Sequence, residues 1–192
     1  MIYLASASPR RQQLLHQLGL EFEVLPADID ERPQPGESAP ACVMRLARTK
    51  ARHVAASLPG RGLPAHPVLG ADTEVVLDGE ILGKPRDRTH GVAMLKRLAG
   101  RTHAVLTALV LLDQDAEYEA LSESRVTFAP LSDGEIEHYW ASGEPAGKAG
   151  GYAVQGRAAA FIERIEGSYS GVVGLPLFEL TQLLKRVRQG VL

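Results

Sequence analysis

The first eleven residues constrain the fold more than any other stretch of this sequence. Ile2 to Ala5 form an apolar run typical of a buried strand, while Ser8 and Pro9 suit the N-cap and the first position of a helix. We therefore predict a strand, a tight turn and a helix that begins at Pro9 and runs to Gly19. The N-terminal segment is a βα unit.

Two arginines follow the predicted helix start. Arg10 and Arg11 fall in the first turn, where the positive end of the helix dipole repels cations. The free N–H groups of a helix N-terminus favour an anion, and guanidinium groups bind phosphate oxygens in bidentate fashion. An ordinary capped helix explains Ser8 and Pro9 but not the two arginines, so we favour a polyphosphate site here.

Composition limits the classes of function. The 192 residues, 45% of them hydrophobic, suffice for one domain of ordinary size or for two small lobes. A formal net charge of -2 argues against a non-specific nucleic-acid binder, so any anion site must be local and the substrate small. The single Cys42 excludes an intramolecular disulfide and a cysteine-based zinc site. Without an apolar run of membrane-spanning length or a signal peptide, we expect a soluble cytoplasmic protein with no membrane partner.

A cluster of carboxylates follows the second predicted strand. Leu20 to Val24 alternate apolar and acidic residues, which is typical of a half-buried strand, and lead into Asp28, Asp30 and Glu31. Three neighbouring carboxylates favour a metal or general-base site, but they are equally typical of a solvated acidic turn. The residues alone leave both interpretations open.

A lysine interrupts the apolar face of the next predicted helix, which Ser38 and Pro40 open. The apolar stripe of this helix consists of Val43, Leu46, Ala47 and Val54. Lys50 falls within that stripe, and a core-facing lysine must either extend to the rim of the protein or meet an anion. Other arginines already supply charge to this helix, so we favour a functional Lys50.

An aspartate lies inside the predicted central strand. Residues 67–77 form this strand, and a two-residue hairpin turn at 78–79 follows it. Asp72 within the strand is costly to bury unless a cation or hydrogen bonds meet it, whereas Gly70 and Ala71 would leave room for a ligand. We therefore predict that Asp72 is functional.

The remaining elements are interpreted as scaffold. They are a helix at 89–98, strands at 102–112, 117–121 and 125–129, a helix capped by Ser132, a hairpin-like segment at 161–165, a loop at 167–171 and a helix from Pro176. Residues 145–156 are predicted as a glycine-rich loop that runs into a strand. This segment is not a P-loop, because Ala149 stands where a serine or threonine would hold magnesium and the glycine spacing is one residue short.

The unusual polar residues together favour phosphoryl chemistry. They are Arg10, Arg11, Glu31, Lys50, Asp72, Lys84, Lys148 and Gln155. Cations are needed to offset polyphosphate charge, and carboxylates to hold Mg²⁺ and orient water.

Six of these eight residues stand in motifs that follow one another along the whole chain. The motifs are Ala5-Ser6-Ala7-Ser8-Pro9-Arg10-Arg11, Arg45-Leu46-Ala47 with Lys50-Ala51, Gly70-Ala71-Asp72-Thr73, Gly83-Lys84-Pro85, Lys148-Ala149-Gly150 and Gly174-Leu175-Pro176. In this order they resemble the Maf family of nucleoside triphosphate pyrophosphatases. The resemblance implies a single domain over residues 1–192.

The resemblance implies a fold and a reaction. The fold is α/β, like that of the inosine triphosphate pyrophosphatases, with a mixed central sheet, flanking helices and two lobes around a cleft, often as a homodimer. The reaction is cleavage of a nucleoside triphosphate between its α and β phosphates, to the monophosphate and pyrophosphate, with a divalent cation such as Mg²⁺ or Mn²⁺. Modified pyrimidine nucleotides are further candidate substrates, which would make the activity a house-cleaning one.

The resemblance also implies roles for individual residues. Asp72 matches the catalytic aspartate, taken as the base that activates water, and together with Glu31 it is expected to hold the metal. The other catalytic matches are Lys50 and Lys84, and the substrate-binding matches are Ser8, Arg10, Arg11, Thr73, Lys148 and Gln155.

Three positions bear on the choice of base. Arg10, Thr73 and Gln155 are similar to the branch that hydrolyses dTTP and UTP. The branch acting on 7-methyl-GTP has an aromatic residue in place of Arg10 and an acid in place of Gln155. Glu74 departs from the family pattern, which usually has an apolar strand residue there.

Two interpretations from other classes compete with an enzyme. The family is associated with inhibition of septum formation, so one alternative is a non-catalytic regulator of cell division that binds nucleotides or partner proteins. The presence of Asp72, Glu31, Lys50 and Lys84 argues against it, because a binding module has no need of such a set of carboxylates and cations. A nucleic-acid binder is disfavoured by the acidic balance and by the lack of aromatic residues among the basic ones.

Overall fold

The structure, a computed structural model, describes residues 1–187, so the last five residues of the predicted domain lie outside it. The described chain contains seven strands in one mixed sheet, in the order β2-β1-β3-β5-β6-β7, with β4 paired to β3. The strands are β1 Ile2–Leu4, β2 Phe22–Val24, β3 Val68–Leu77, β4 Glu80–Ile81, β5 Thr102–Asp113, β6 Ala116–Phe128 and β7 Ile162–Glu166.

Helices cover both faces of this sheet. They are α1 Pro9–Gln17, α2 Ala39–Ser57, α3 Arg88–Leu98, α4 Asp133–Ala141, α5 Tyr169–Val173 and α6 Leu177–Arg186, with short 3-10 turns at Pro59–Arg61, Ala149–Gly151 and Arg157–Ala160. Buried residues of α2 form one hydrophobic core with one face of the sheet. Those of the other helices form a second core on the opposite face. This arrangement confirms the predicted mixed sheet with flanking helices.

Local sequence signals account for several element boundaries. The Ser38 hydroxyl caps α2 by accepting from the Ala41 N–H at 3.4 Å, and α4 begins with the predicted capping box at Ser132. Asp78 and Gly79 have φ of 52° and 81°, as the predicted two-residue hairpin turn requires. Helix α1 begins at Pro9 as predicted, although the Ser8 side chain makes no capping hydrogen bond.

The structure differs from the sequence prediction in three segments. Strand β6 is continuous, not divided into 117–121 and 125–129, because β5 pairs with it without a break from Thr102 to Asp113. Residues 145–156 form turns instead of entering a strand, since several glycines there adopt positive φ. The predicted loop at 167–171 contains the start of α5, which the Ser168 hydroxyl caps at 3.0 Å from the Gly171 N–H.

The order of the first strands creates a crevice. Strand β1 lies between β2 and β3 and is parallel to both, while α1 and α2 pack on opposite faces of the sheet. Ligands of open α/β sheets bind at such a switch point, beyond the carboxyl ends of the strands. On this edge β3 pairs with β1 as far as Leu69 and with β4 from Val76 onward. Among the described residues no strand pairs with this edge of β3 between these two positions, whereas β5 pairs along the opposite edge. We call this unpaired stretch the edge gap.

Gly70 brings α2 close to β3. A Cβ atom at this position would lie 2.1 Å from the Ala47 carbonyl oxygen and 2.9 Å from the Ala51 Cβ. The sequence-based hypothesis that Gly70 leaves room for a ligand is therefore wrong, because the space is taken by the backbone of α2. The close approach places Lys50, in the same part of α2, beside the edge gap.

We predict that Gly70→Ala destabilises the fold. The methyl group has no space against the α2 backbone, and overpacking of this kind costs about 1–3 kcal/mol or more. The free energy of unfolding in urea measures the loss. Gly60→Ala is the matched control, because nothing lies within 4 Å of a Cβ there, and it should change stability by less than about 0.5 kcal/mol. Equal stability of the two variants would show that α2 does not depend on this contact.

Candidate active site

A cavity of about 830 Å³ opens at the edge gap, within the range of small-molecule sites. Its walls come from the end of β1, the start of α1, the middle of β3, the segment after β4 and the turns near 147–154. Nine of the ten predicted site residues line it: Ser8, Arg10, Arg11, Glu31, Lys50, Asp72, Thr73, Lys84 and Lys148. The structure thus brings together groups that lie up to 140 positions apart in the chain, from Ser8 to Lys148.

Four of these side chains form a row of alternating charge. Lys50 Nζ lies 2.6 Å from Asp72 Oδ1 and 2.5 Å from Glu31 Oε1. Lys84 Nζ lies 2.5 Å from Glu31 Oε2. The row runs from the buried Asp72 and Lys50, each 6% exposed, to Lys84, whose side chain is 57% exposed. Lys50 therefore does not extend to solvent but meets two carboxylates inside the cavity.

The acidic segment after β2 divides between two environments. Glu31 turns into the cavity, where burial raises its pKa but hydrogen bonds from Lys50 and Lys84 outweigh that effect and hold the pKa at about 2. Asp30 instead pairs with the exposed Arg32 at 2.6 Å. Asp28 is exposed as well. The interpretation as a solvated acidic turn therefore holds for Asp28 and Asp30, whereas a metal or general-base role of Glu31 stays a prediction.

Two buried carboxylate oxygens at the site have no hydrogen-bond partner among the described residues: Asp72 Oδ2 and Glu74 Oε2. Burial, together with the charge of Asp72, raises the pKa of Glu74 to about 7. Glu74 lines the cavity and was noted in the sequence only as an unusual residue. The sequence did contain a signal for placing Glu74 at the site. Residues i and i+2 of a strand share a face, and Glu74 is an acid two positions from Asp72 in an apolar strand.

The guanidinium group of Arg11 is fixed by hydrogen bonds to other residues of the protein. Its Nε donates to the Gly174 carbonyl at 2.8 Å, Nη1 to the Ser6 hydroxyl at 2.9 Å and Nη2 to the Thr73 hydroxyl at 3.2 Å. Thr107 donates to the Gly171 carbonyl, so the 2.9 Å contact between Thr73 and Thr107 uses the proton of Thr73. The sequence analysis gave no role to Ser6. Its position in the same motif, two residues before Ser8, was the signal that could have pointed to one.

The remaining cations lie on the more open wall. Arg10 and Lys148 are half-buried, and burial lowers the pKa of each. The start of α1 lies at the same cavity, since Ser8, Pro9 and Arg10 all line it, and N–H groups in the first turn of a helix have no partner within the helix. This wall therefore offers positive charge and hydrogen-bond donors to an anion.

Gln155 is the one predicted site residue that does not line the cavity. Its side chain is exposed, and the surrounding turns are fixed by Glu144, another residue the sequence analysis missed. The Glu144 carboxylate accepts from the Tyr139 hydroxyl at 2.8 Å and from the Arg157 N–H at 2.8 Å. The role of Gln155 in reading a base stays a prediction.

The arrangement suits hydrolysis of a phosphate anhydride. A cation-rich wall can hold a polyphosphate, and a buried carboxylate with one free oxygen can accept a proton from water. No cluster of three or more metal-ligating side chains occurs in residues 1–187. Mg²⁺ needs no such cluster, because in phosphate-binding sites it is held by one or two carboxylates and by the substrate phosphates.

Comparison with known proteins identifies the family. The sequence model described as "Maf-like protein" matches residues 1–187. The chain belongs to the Maf-like protein family.

Relatives of this Maf-like protein share about half of its residues over nearly the whole chain. The Aromatoleum aromaticum protein is 53% identical over 193 residues, covering 96% of this chain and 94% of its own length. The Burkholderia lata protein is 54% identical, with 97% and 93% covered, and the Alkalilimnicola ehrlichii protein is 56% identical, with 95% and 91% covered. All three are named dTTP/UTP pyrophosphatase.

The solved structure of the Staphylococcus aureus Ham1 protein is similar to that of this chain, with a TM-score of 0.45. The two sequences are 15% identical, and the match covers 69% of this chain and 72% of that one.

Within the described part of the Maf-like protein, no helix has both the length and the apolar character needed to cross a membrane.

We predict that Lys50→Met destabilises this Maf-like protein by about 3 kcal/mol, because Asp72 would remain buried without its cation. The free energy of unfolding in urea, in the presence of a chelator and without nucleotide, measures the effect. Adding Asp72→Asn to Lys50→Met should recover about 1 kcal/mol or more, since the two residues are coupled.

The control for this prediction is Lys96→Met. Lys96 also pairs with a carboxylate, that of Asp133 at 2.8 Å, but their side chains are 46% and 78% exposed. Its loss should cost no more than about 1 kcal/mol. If Lys50→Met is as mild as this control, the row of alternating charge contributes nothing to the fold.

Proposed function

We propose that this Maf-like protein hydrolyses dTTP and UTP between the α and β phosphates, releasing the nucleoside monophosphate and pyrophosphate. The observation that carries the proposal is the buried Asp72–Lys50 contact, which presents a free carboxylate oxygen to a cavity with a cationic wall. The names of the relatives at 53–56% identity support the choice of substrate.

The cations of the cavity are proposed to hold the triphosphate. Arg10, Lys84 and Lys148 lie on its more open side and have charge available for phosphate oxygens. The N–H groups at the start of α1, beside Ser8, add donors to the same anion. Arg11, whose three nitrogens already donate to protein oxygens, contributes mainly positive charge and the position of the β1–α1 turn.

Asp72 is proposed as the general base. Lys50 orients its carboxylate through Oδ1, which leaves Oδ2 to accept a proton from water. The water oxygen forms a bond to the α phosphorus as the bond from that phosphorus to the α–β bridging oxygen breaks. Pyrophosphate leaves with the electron pair, and the nearby lysines and arginines stabilise its charge. Glu31 holds Lys50 and Lys84 in place by forming an ion pair with each.

A divalent cation, Mg²⁺ or Mn²⁺, fits the residues present. Asp72 offers an unpartnered oxygen, whereas both oxygens of Glu31 accept from lysines and Glu31 would have to release one to become a ligand. When bound, the cation would neutralise phosphate charge and polarise the phosphoryl group under attack.

Base selection is proposed to depend on Arg10, Thr73 and Gln155. A uracil or thymine edge presents two carbonyl acceptors around one N–H donor, and Arg10 can donate to a carbonyl. The proton of Thr73 is already used towards Thr107, so Thr73 acts here as an acceptor or by contact. Gln155 would have to turn inward from its exposed position to reach the base.

The assembly and the location of the protein are also proposals. We propose a cytoplasmic homodimer that binds the nucleotide and has no membrane or nucleic-acid partner. Two large apolar side chains support an interface near α5 and α6, because Phe178 is 72% exposed and Tyr169 is 52% exposed. Sedimentation at micromolar concentration should give twice the 20.7 kDa mass of the chain, and a purely monomeric species would contradict the dimer.

A panel of triphosphates tests the proposed function. With Mg²⁺ or Mn²⁺, we expect pyrophosphate release from dTTP and UTP with kcat/KM about 10³-fold above that for CTP, dCTP, ATP or GTP, because a mismatched base leaves buried polar groups unpaired. Phosphorus NMR identifies the products as the monophosphate and pyrophosphate. Release of the diphosphate and inorganic phosphate would contradict the proposed cleavage position. Equal kcat/KM on CTP and UTP would contradict the proposed base selection.

A further inference from the structure

Strand β3 carries a pair of buried acids, Asp72 and Glu74. They are two positions apart in an extended strand, so their side chains lie on the same face of the sheet. That face is covered by α2. The two residues are 6% and 8% exposed, and both line the cavity.

Each of these acids has one carboxylate oxygen that no described residue satisfies. The two atoms are Asp72 Oδ2 and Glu74 Oε2, both buried. The other oxygen of Asp72 accepts from Lys50. Glu74 forms no salt bridge with any residue in the described range. An acid buried in this way costs free energy that an apolar side chain at the same position would not.

The proposed hydrolysis gives Glu74 no task. Its directly opposite residue on β5 is the buried Leu106, and the next residue on its own face of β3 is the apolar Val76. An apolar side chain at position 74 would therefore pack well with both. The presence of a carboxylate beside Asp72 points to a ligand that compensates the buried charge.

We propose that Glu74 is a metal ligand, and that Asp72 Oδ2 and Glu74 Oε2 together hold the divalent cation of the proposed reaction. A carboxylate oxygen has two lone pairs, so Oδ2 can bind the cation with one and still accept from water with the other. This inference rests on the proposed function for the use of the metal, but not for its binding. Two carboxylate oxygens without nitrogen or sulfur ligands suit Mg²⁺ or Mn²⁺, which complete their shells with water and phosphate oxygens.

The positions of the lysines favour Glu74 over Glu31 as the partner of Asp72. Both oxygens of Glu31 lie 2.5 Å from a lysine ammonium group, so a cation bound there would have to displace Lys50 or Lys84. The free oxygens of Asp72 and Glu74 require no such displacement. The two lysines can then remain available to Glu31 and to the substrate phosphates.

Binding of Mn²⁺ to the nucleotide-free protein tests this assignment. The EPR signal of free Mn²⁺ gives the dissociation constant and the number of ions bound, with no substrate present. We expect one Mn²⁺ per chain in the unmodified protein. Glu74→Gln and Asp72→Asn should each weaken binding about tenfold or more, because each removes one of two charged ligands.

Glu80→Gln is the matched control for this experiment. Glu80 lies on β4 of the same sheet, is exposed and pairs with Arg97 at 2.6 Å, so its replacement should leave Mn²⁺ binding unchanged. Glu74→Asp serves as a second variant, because it keeps the charge and should bind more tightly than Glu74→Gln. Far-UV circular dichroism verifies that each variant is folded.

Two results would overturn the assignment. Glu74→Gln that binds Mn²⁺ as tightly as the unmodified protein would exclude Glu74 as a ligand. An unmodified protein that binds no Mn²⁺ at millimolar concentration would exclude a site already formed by the two oxygens. Both results are independent of nucleotide hydrolysis, so the proposed function could stand or fail separately in the triphosphate panel.

Discussion

The contact between Lys50 and Asp72 is the interaction on which the site depends. It joins α2 to the middle of β3 at 2.6 Å, and it forms because Gly70 lets the α2 backbone approach the strand. A charge pair buried to this extent gains little net stability compared with apolar packing, and the loss of one partner is costly. We infer that the pair serves the proposed chemistry: the lysine orients one carboxylate oxygen and leaves the other to the cavity.

The cavity itself follows from the order of the strands. Strand β1 stops at Leu4 and β4 begins at Glu80, so the edge gap of β3 opens where the N-terminus of α1 arrives. Helix dipole, arginines and lysines then surround one crevice with positive charge. Carboxylate side chains of β3 lie along the bottom of this crevice. A triphosphate with a divalent cation requires this combination of a cationic wall and carboxylates at the bottom of the cavity.

Much of this architecture could be predicted from sequence because the signals are local. Pro9 set the start of α1, the Asp78–Gly79 turn set the β3–β4 hairpin, and Lys50 stood out against an apolar helix face. Features that depend on contacts distant in sequence were missed or misread. Gly70 serves helix packing and not a ligand, and β6 stays continuous because β5 pairs along its length. The exposed position of Gln155 depends on turns held by Glu144, which no local pattern reveals.

The central claim is that the free oxygen of Asp72 accepts the proton of the attacking water. Turnover of dTTP by Asp72→Asn tests this claim most directly. Asparagine keeps the size of the side chain but cannot accept the proton, so kcat should fall by about 10²-fold or more. Binding of the non-hydrolysable α,β-methylene analogue, measured by calorimetry, should survive. Asp78→Asn is the control, because that exposed turn aspartate pairs only with Arg101 among the described residues and should retain normal turnover. Near-normal turnover by pure Asp72→Asn would contradict the account.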